Sequence, residues 1–243
     1  MSFYQSLSPI YDEMINFSQR LVSEKIIFKN LLEKYPAKIA LDAGCGSGFH
    51  TIMLSQLGLD VTGLDSSDQM LSLAKENSQK YKLNPTFLKG DFTTMNNSLR
   101  DRFDGVFCLG NSFVHLLTEK DRITALRNFK KYLFPKGYLC IQIVNYDKIL
   151  RFRQEILAIR EYEGKIITRF YTFNQSTITF TVRVESGKMS NDYSTELYPM
   201  KSEEMVLLLR KADFDEIHIF GDLKFKPYQN YQSDNICVFC YFD

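Results

Sequence analysis

The sequence predicts an α/β fold: a doubly wound, mainly parallel sheet that carries an inserted antiparallel β meander. Three observations lead there. Through the first 150 or so residues, short apolar runs of strand length alternate with segments of helical periodicity, the pattern of parallel strands joined by crossover helices. One of these units turns on LDAGCGSG, Leu41 to Gly48, where three glycines at every second position join an apolar run to a helix-like segment. Glycine there permits a tight turn and lets another molecule approach the backbone. From about Gly164 to Tyr198 the composition shifts to threonine, aromatic and β-branched residues separated by turn residues, as expected of an antiparallel meander.

Taken in order, QRLVSEKIIFKNLLEKY places Leu21, Ile27, Phe28, Leu31 and Leu32 at helical spacing and stops at Pro36, which predicts a helix covering the sheet. KIALDA reads as a buried strand and HTIMLSQLG as a helix closed by Gly58. LDVTGLD is the next strand, ending in Asp65. SSDQMLSLAKENSQKY follows as a helix, with Ser66 and Gln69 at capping-box spacing. TFLKG, FDGVFCLG and YLCIQIV are three further strands. A helix from about Thr118 to Phe134 separates the last two, and Pro135 to Gly137 forms the turn that ends it. The meander is read as GKIITRFYTF, STITFTVRV and STELYPM. The helix SEEMVLLLRKA and the strands DEIHIFG and NICVFCYF complete the chain.

Composition narrows the function classes. With 243 residues, 44% hydrophobic and 24% charged, the chain can bury a full core without metals or disulfides. A net charge of +1 supplies no global basic field, which argues mildly against nucleic acid as a partner and leaves a local basic patch open. MSFYQSLSPIYDEM lacks the basic and apolar blocks of a signal peptide and no apolar run reaches membrane-spanning length, so the expected location is cytoplasmic, with no membrane partner. Five cysteines, Cys45, Cys108, Cys140, Cys237 and Cys240, fall mainly in expected strands and suit buried thiols in a reducing compartment. Cys237 and Cys240 form a C-x-x-C with no second pair or nearby histidine, and His50, His115 and His218 are dispersed. No metal site is expected.

The glycine loop points to a nucleotide-like ligand. A dinucleotide fingerprint would need G-x-G-x-x-G, and Phe49 stands where its last glycine belongs. Asp65, at the tip of the second parallel strand, is placed to accept both hydroxyls of a ribose in the adjacent crevice. With LDAGCGSG, GLDSSDQML, LKGDF and FDGVFCLGNSFVHL in this order, the sequence resembles the class I S-adenosylmethionine-dependent methyltransferases, whose sheet is Rossmann-like. The resemblance implies that Asp42, Gly44, Gly46 and Gly48 border the methionine part of the cofactor. Asp65, with Ser66 beside it, would hold the ribose, Met70 would pack on the adenine, and Asp91 and Phe92 would frame its edge. The plain alternatives are a helix cap for Asp65 and a core side chain for Met70; taken singly, Asp65 reads as functional and Met70 as core.

Within that class the chain resembles the glycine N-methyltransferases, through CLGNSFVHL (Cys108 to Leu116), NYDKIL from Asn145, LYP at Leu197 to Pro199, and GDLKFKPY from Gly221. This resemblance gives Asn111, Ser112 and Leu109 candidate places beside cofactor and substrate, with His115 a further candidate. The family holds the carboxylate of glycine with an arginine directly before its NYD. Here that position is Val144, which cannot make the charge-assisted bond, so glycine should be a poor substrate. The segment FYQSLSPIYDEMINF resembles instead the lid of many small bacterial methyltransferases, with Tyr4 and Tyr11 available to close over the sulfonium or simply to pack. Arg169 or Arg183 could restore a carboxylate site, though an arginine alternating with apolar residues more often faces solvent.

The expected organisation is therefore one methyltransferase domain. Residues 1–36 form an N-terminal lid and helix, 37–150 a cofactor-binding core, 151–200 an inserted meander covering the substrate, and 201–243 the completion of the sheet. The expected activity is methyl transfer from S-adenosylmethionine to a small molecule, at an amine nitrogen. Asn111, Tyr11 and His115 are the candidate catalytic residues, and the Asn111 carbonyl could orient an amine proton. Tyr4 joins the cofactor-binding set. An O-methyltransferase, an RNA or protein methyltransferase, and a cofactor-binding scaffold subunit stay open, as does a homo-oligomer built on the meander.

Overall fold

The computed structural model describes residues 3–99 and 102–241. Met1 and Ser2 of the N-terminal segment, and Phe242 at the end of the expected last strand, lie outside the described residues. A seven-stranded sheet forms the centre. Its parallel part comprises β1 (Ile39–Ala43), β2 (Asp60–Asp65), β3 (Thr86–Lys89), β4 (Phe103–Cys108) and β5 (Leu133–Val144), and it continues into the antiparallel β10 (Glu216–Phe220) and β11 (Asn235–Tyr241). The strand order is β10-β11-β5-β4-β1-β2-β3. The chain reverses direction across the sheet between β1 and β4, and the carboxyl ends of those strands open the crevice where such sheets bind ligands. A separate antiparallel sheet, β6 (Ile156–Tyr162), β7 (Lys165–Phe173), β8 (Ile178–Ser186) and β9 (Met189–Leu197), is inserted after β5.

Helices cover both faces because the central strands are buried on both. On one face, α2 (Phe17–Lys34) and α3 (Phe49–Gln56) bury Phe28, Leu31, Ile52 and Met53 against Val61, Phe107 and Phe239. On the other, α5 (Glu119–Lys131) and α7 (Ser202–Lys211) bury Leu126, Phe129, Met205 and Leu209 against Val106, Leu139 and Val238. α4 (Asp68–Lys80) follows β2, and no helix of the described residues is long and apolar enough to cross a membrane.

Several expectations shift. The N-terminal segment is itself a helix, α1 (Phe3–Ile15), despite Pro9. Proline cannot donate to the Gln5 carbonyl, and the Ser8 hydroxyl takes that acceptor instead at 3.1 Å. Asn16, in the left-handed region at φ 59°, then breaks α1 from α2. The cap of α4 is Ser67 rather than Ser66: its Oγ accepts from the Met70 N–H at 3.3 Å. α5 stops at Lys131, three residues short of the expected end, because Leu133 already pairs with Phe103 and opens β5. The meander has a fourth strand, β6, whose Ile156 and Ile159 are exposed, so its apolar pattern does not mark a buried face. NYDKIL contains a short helix, α6 (Tyr146–Phe152), capped by the Asn145 side chain. α1 packs its Leu7 and Met14 on Ile167 and Val182 of the meander, forming a small apolar cluster of its own.

Candidate active site

Two connected chambers lie beyond the carboxyl ends of β1, β2 and β4. The smaller, of about 140 Å³, is lined by Gly46, Asp65, Ser66, Gly90, Asp91 and Phe92 among others. The larger, of about 480 Å³, extends under α1 and the meander past Asn111, Gln142, Val144, Arg169 and Tyr171. Tyr4, Tyr11, Gly44, Gly110, Ser112 and His115 line both and form the junction.

The smaller chamber is built by the loop after β1. At Gly44, φ is 79° and a Cβ would lie 2.8 Å from the Cβ and Oγ of Ser112, so a side chain would close the space between the loop and the turn after β4. The Asp65 carboxylate organises the floor: Oδ2 accepts from the Gly46 N–H and Oδ1 from the Ser67 N–H, each at 2.9 Å. Burial raises its pKa, while these backbone N–H donors act to lower it. Each oxygen keeps acceptor capacity toward the chamber, which is what a ribose diol requires. Asp91 also faces the chamber, its Oδ1 held by the Thr93 N–H at 2.8 Å and the Thr93 hydroxyl at 2.5 Å. A narrow cradle of this kind, with a carboxylate at the tip of the second strand, fits S-adenosylmethionine.

Three residues expected at the cofactor lie behind this surface. Asp42 is fully buried and lines neither chamber; the Thr51 hydroxyl donates to its Oδ2 at 2.6 Å while Oδ1 has no partner. Burial outweighs the Thr51 bond and raises the Asp42 pKa to about 7. Gly48 faces α4, where an added Cβ would lie 3.1 Å from the Ala74 Cβ, so it serves helix packing. Met70 is buried with its methyl group beneath Gly46 and supports the loop from below.

At the junction, α1 meets the 3₁₀ turn Ser112–His115. The Tyr4 Oη and His115 Nε2 share a 2.8 Å hydrogen bond, its direction set by the imidazole tautomer. Burial lowers the His115 pKa to about 4, so the ring is neutral at neutral pH. Burial, and then the nearby Asp65, raises Tyr11 to about 12, and Tyr4 is raised as well. Both phenols stay protonated. Ser112 donates to the Leu109 carbonyl at 2.9 Å, which tightens the turn; Leu109 faces the larger chamber.

Asn111 sits at φ 72° with its amide engaged. Its Oδ1 accepts from the Val144 N–H at 3.1 Å, and its Nδ2 donates to the Tyr146 hydroxyl at 3.0 Å. The Tyr146 and Tyr171 rings are 6.3 Å apart. The remaining capacity of the Asn111 carbonyl is shared with Tyr146, whose hydroxyl lies 3.4 Å away, so the residue clamps β4 to β5 as well as facing the chamber. Arg20, His50, Gln142 and Lys148 line the larger chamber without having stood out in the sequence. They come from four separate elements, and only the fold brings them together. Of the two meander arginines, Arg169 lines the chamber while Arg183 faces away and pairs with Asp192 at 2.8 and 2.7 Å.

Comparison with known proteins agrees with this geometry. Residues 40–137 match a methyltransferase domain family. The glycine/sarcosine N-methyltransferase of Aphanothece halophytica is 32% identical over 88% of this chain and 80% of its own length. That of Halorhodospira halochloris is 31% identical over 88% and 79%. A solved S-adenosylmethionine-dependent methyltransferase of Clostridium acetobutylicum superposes with a TM-score of 0.80 at 18% identity, covering 98% of each chain. The protein is an enzyme of the class I S-adenosylmethionine-dependent methyltransferase family, related within it to the glycine N-methyltransferase group.

Proposed function

We propose that the protein methylates a small molecule at an amine nitrogen. The observation that carries this reading is the chamber of about 480 Å³, roofed by α1 and the meander and meeting the cofactor cradle at a junction of uncharged polar groups. S-adenosylmethionine, when bound, supplies a methyl group already activated by its positively charged sulfur. The chain's task is then to bind, align and exclude water.

An amine attacks only as the free base, and neutral His115 with protonated Tyr4 and Tyr11 gives the junction no negative charge that would hold it as ammonium. Asn111 is fixed by the Val144 N–H, and an amine proton would take the acceptor capacity of its carbonyl that the Tyr146 hydroxyl, 3.4 Å away, now shares. Gly44, Gly46, Asp65, Ser66, Asp91, Phe92 and Ser112 form the candidate cofactor wall, with Leu109 at its edge and Asp42, Gly48 and Met70 supporting it. α1 acts as the lid and residues 151–200 as the cover over the acceptor. The relatives named as glycine/sarcosine N-methyltransferases support an amine acceptor of small size.

The test is turnover against cofactor affinity. Asn111→Ala is expected to cut kcat on an amine acceptor by about 10²-fold while S-adenosylhomocysteine affinity, measured by calorimetry, stays within about threefold of the parent. Equal losses in both would reject the assigned role, and a product methylated at oxygen would reject the amine reading.

A further inference from the structure

We infer that Arg169 is the carboxylate anchor of the acceptor site, so that the substrate is an amine bearing a carboxylate held from the meander. The inference rests on the amine reading above. In β7, alternation puts Ile167, Arg169 and Tyr171 on one face, and Ile167 and Tyr171 are buried. Their register partners Val184, Val182 and Phe180 complete the same inward surface. Arg169 is thus the cation on an otherwise apolar and phenolic wall of the larger chamber.

Its guanidinium has no hydrogen-bond or ion-pair partner among the described residues. Burial, and then the neighbouring Arg20, press on its charge and lower its pKa. A guanidinium stays charged under such pressure, and a desolvated cation beside a second cation calls for an anion. Arg20 already has one, bonding Glu24 at 2.6 and 3.3 Å, and lies 4.4 Å over the Phe49 ring at the start of α3 beside the glycine loop. Arg20 lines the same chamber, but its charge is already met by Glu24. Arg169 stands next but one to Tyr171, whose ring neighbours Tyr146, the partner of Asn111, and belongs to the acceptor side. The planar fork of arginine matches a carboxylate in two parallel bonds. Val144 leaves the end of β5 apolar in this chamber, and Arg169 supplies a cation from the meander.

The experiment uses the full chain, methyl-labelled S-adenosylmethionine, and glycine, sarcosine, β-alanine and 4-aminobutyrate, each beside its neutral amide. For the best acceptor, the parent enzyme is expected to favour the carboxylate over the amide by about 30-fold in kcat/KM. Arg169→Gln should erase that preference while amide turnover persists, Arg169→Lys should restore part of it, and Arg183→Gln should leave it intact. Persistence of the preference in Arg169→Gln, or its absence in the parent, overturns the inference. Calorimetry with protein saturated with S-adenosylhomocysteine reads the same contact without chemistry: an amino acid that binds the parent should lose its affinity in Arg169→Gln. If no acceptor is methylated but this binding pattern holds, the amine reading fails and the anchor stands; if none binds the parent, the anchor falls. A loss of S-adenosylhomocysteine affinity in Arg169→Gln, with the preference unchanged, would assign Arg169 to the carboxylate tail of the cofactor and overturn the inference as well.

Discussion

Asp42 and Asp65 end adjacent strands of one sheet, yet their surroundings give them different work. Asp42 is sealed beneath the loop with one oxygen unpartnered, and its pKa of about 7 lies above the ordinary carboxylate value of 3.8. The native state therefore holds a proton that the unfolded chain releases between about pH 4 and pH 7, and this residue's contribution to stability falls as pH rises through that window. Asp42→Asn should be more stable than the parent at pH 8 by up to a few kcal/mol, a difference that shrinks toward pH 4; urea titrations of the ligand-free protein at the two pH values measure it. His115 and His50, lowered to about 4 and about 3 by burial, act in the opposite sense. The native state resists their protonation, so their contribution to stability is lost as pH falls below about 6.5, and only the difference between variant and parent isolates Asp42. Asp65 faces the chamber, and Asp65→Ala should weaken S-adenosylhomocysteine binding by about 1.5–3 kcal/mol, read by calorimetry. The glycine spacing and Asp65 were legible in sequence because both are local to one strand–loop–helix unit. The burial of Asp42 and the packing role of Gly48 were not, since they depend on Thr51 and Ala74 closing from behind.

Among the elements, α1 has the most consequence for the site. It supplies Tyr4 and Tyr11 to the junction, and it is held to the meander by a small cluster, Leu7 and Met14 against Ile167 and Val182. Leu7 is fully buried, so Leu7→Ala removes about 2–5 kcal/mol of packing. Because that cluster joins the lid to the cover, the loss is expected as faster proteolysis within α1 and weaker S-adenosylhomocysteine binding, with a smaller change in the thermal midpoint of the central sheet. A single midpoint shift with α1 still protected would contradict a separately docked lid. Sequence reading found the crossover helices and buried strands, whose hydrophobic periodicity reports a packed face. It missed β6, an edge strand with exposed isoleucines, and it read α1 as a lid without giving it a helix, because Pro9 masks a helix whose freed carbonyl is rescued by Ser8.

Across the whole molecule, the carboxyl ends of the doubly wound sheet line the smaller chamber and the inserted sheet walls the larger one. The doubly wound class and the place of the insertion could be read from sequence, because helices alternating with strands imply parallel strands joined by crossovers; the order of the strands comes from the structure. Which face of the meander turns inward could not be read. Val182 alternates with Arg183 and Phe170 with Arg169, so both faces carry apolar residues and an arginine, and only docking against α1 buries the side that holds Arg169. The central claim, methyl transfer to nitrogen of a small molecule, is tested most directly by incubating the protein with methyl-labelled S-adenosylmethionine and cell extract separated into small-molecule, RNA and protein fractions, with pure glycine assayed alongside. The account predicts label on an amine in the small-molecule fraction and little on glycine, whereas label confined to RNA or protein would contradict it.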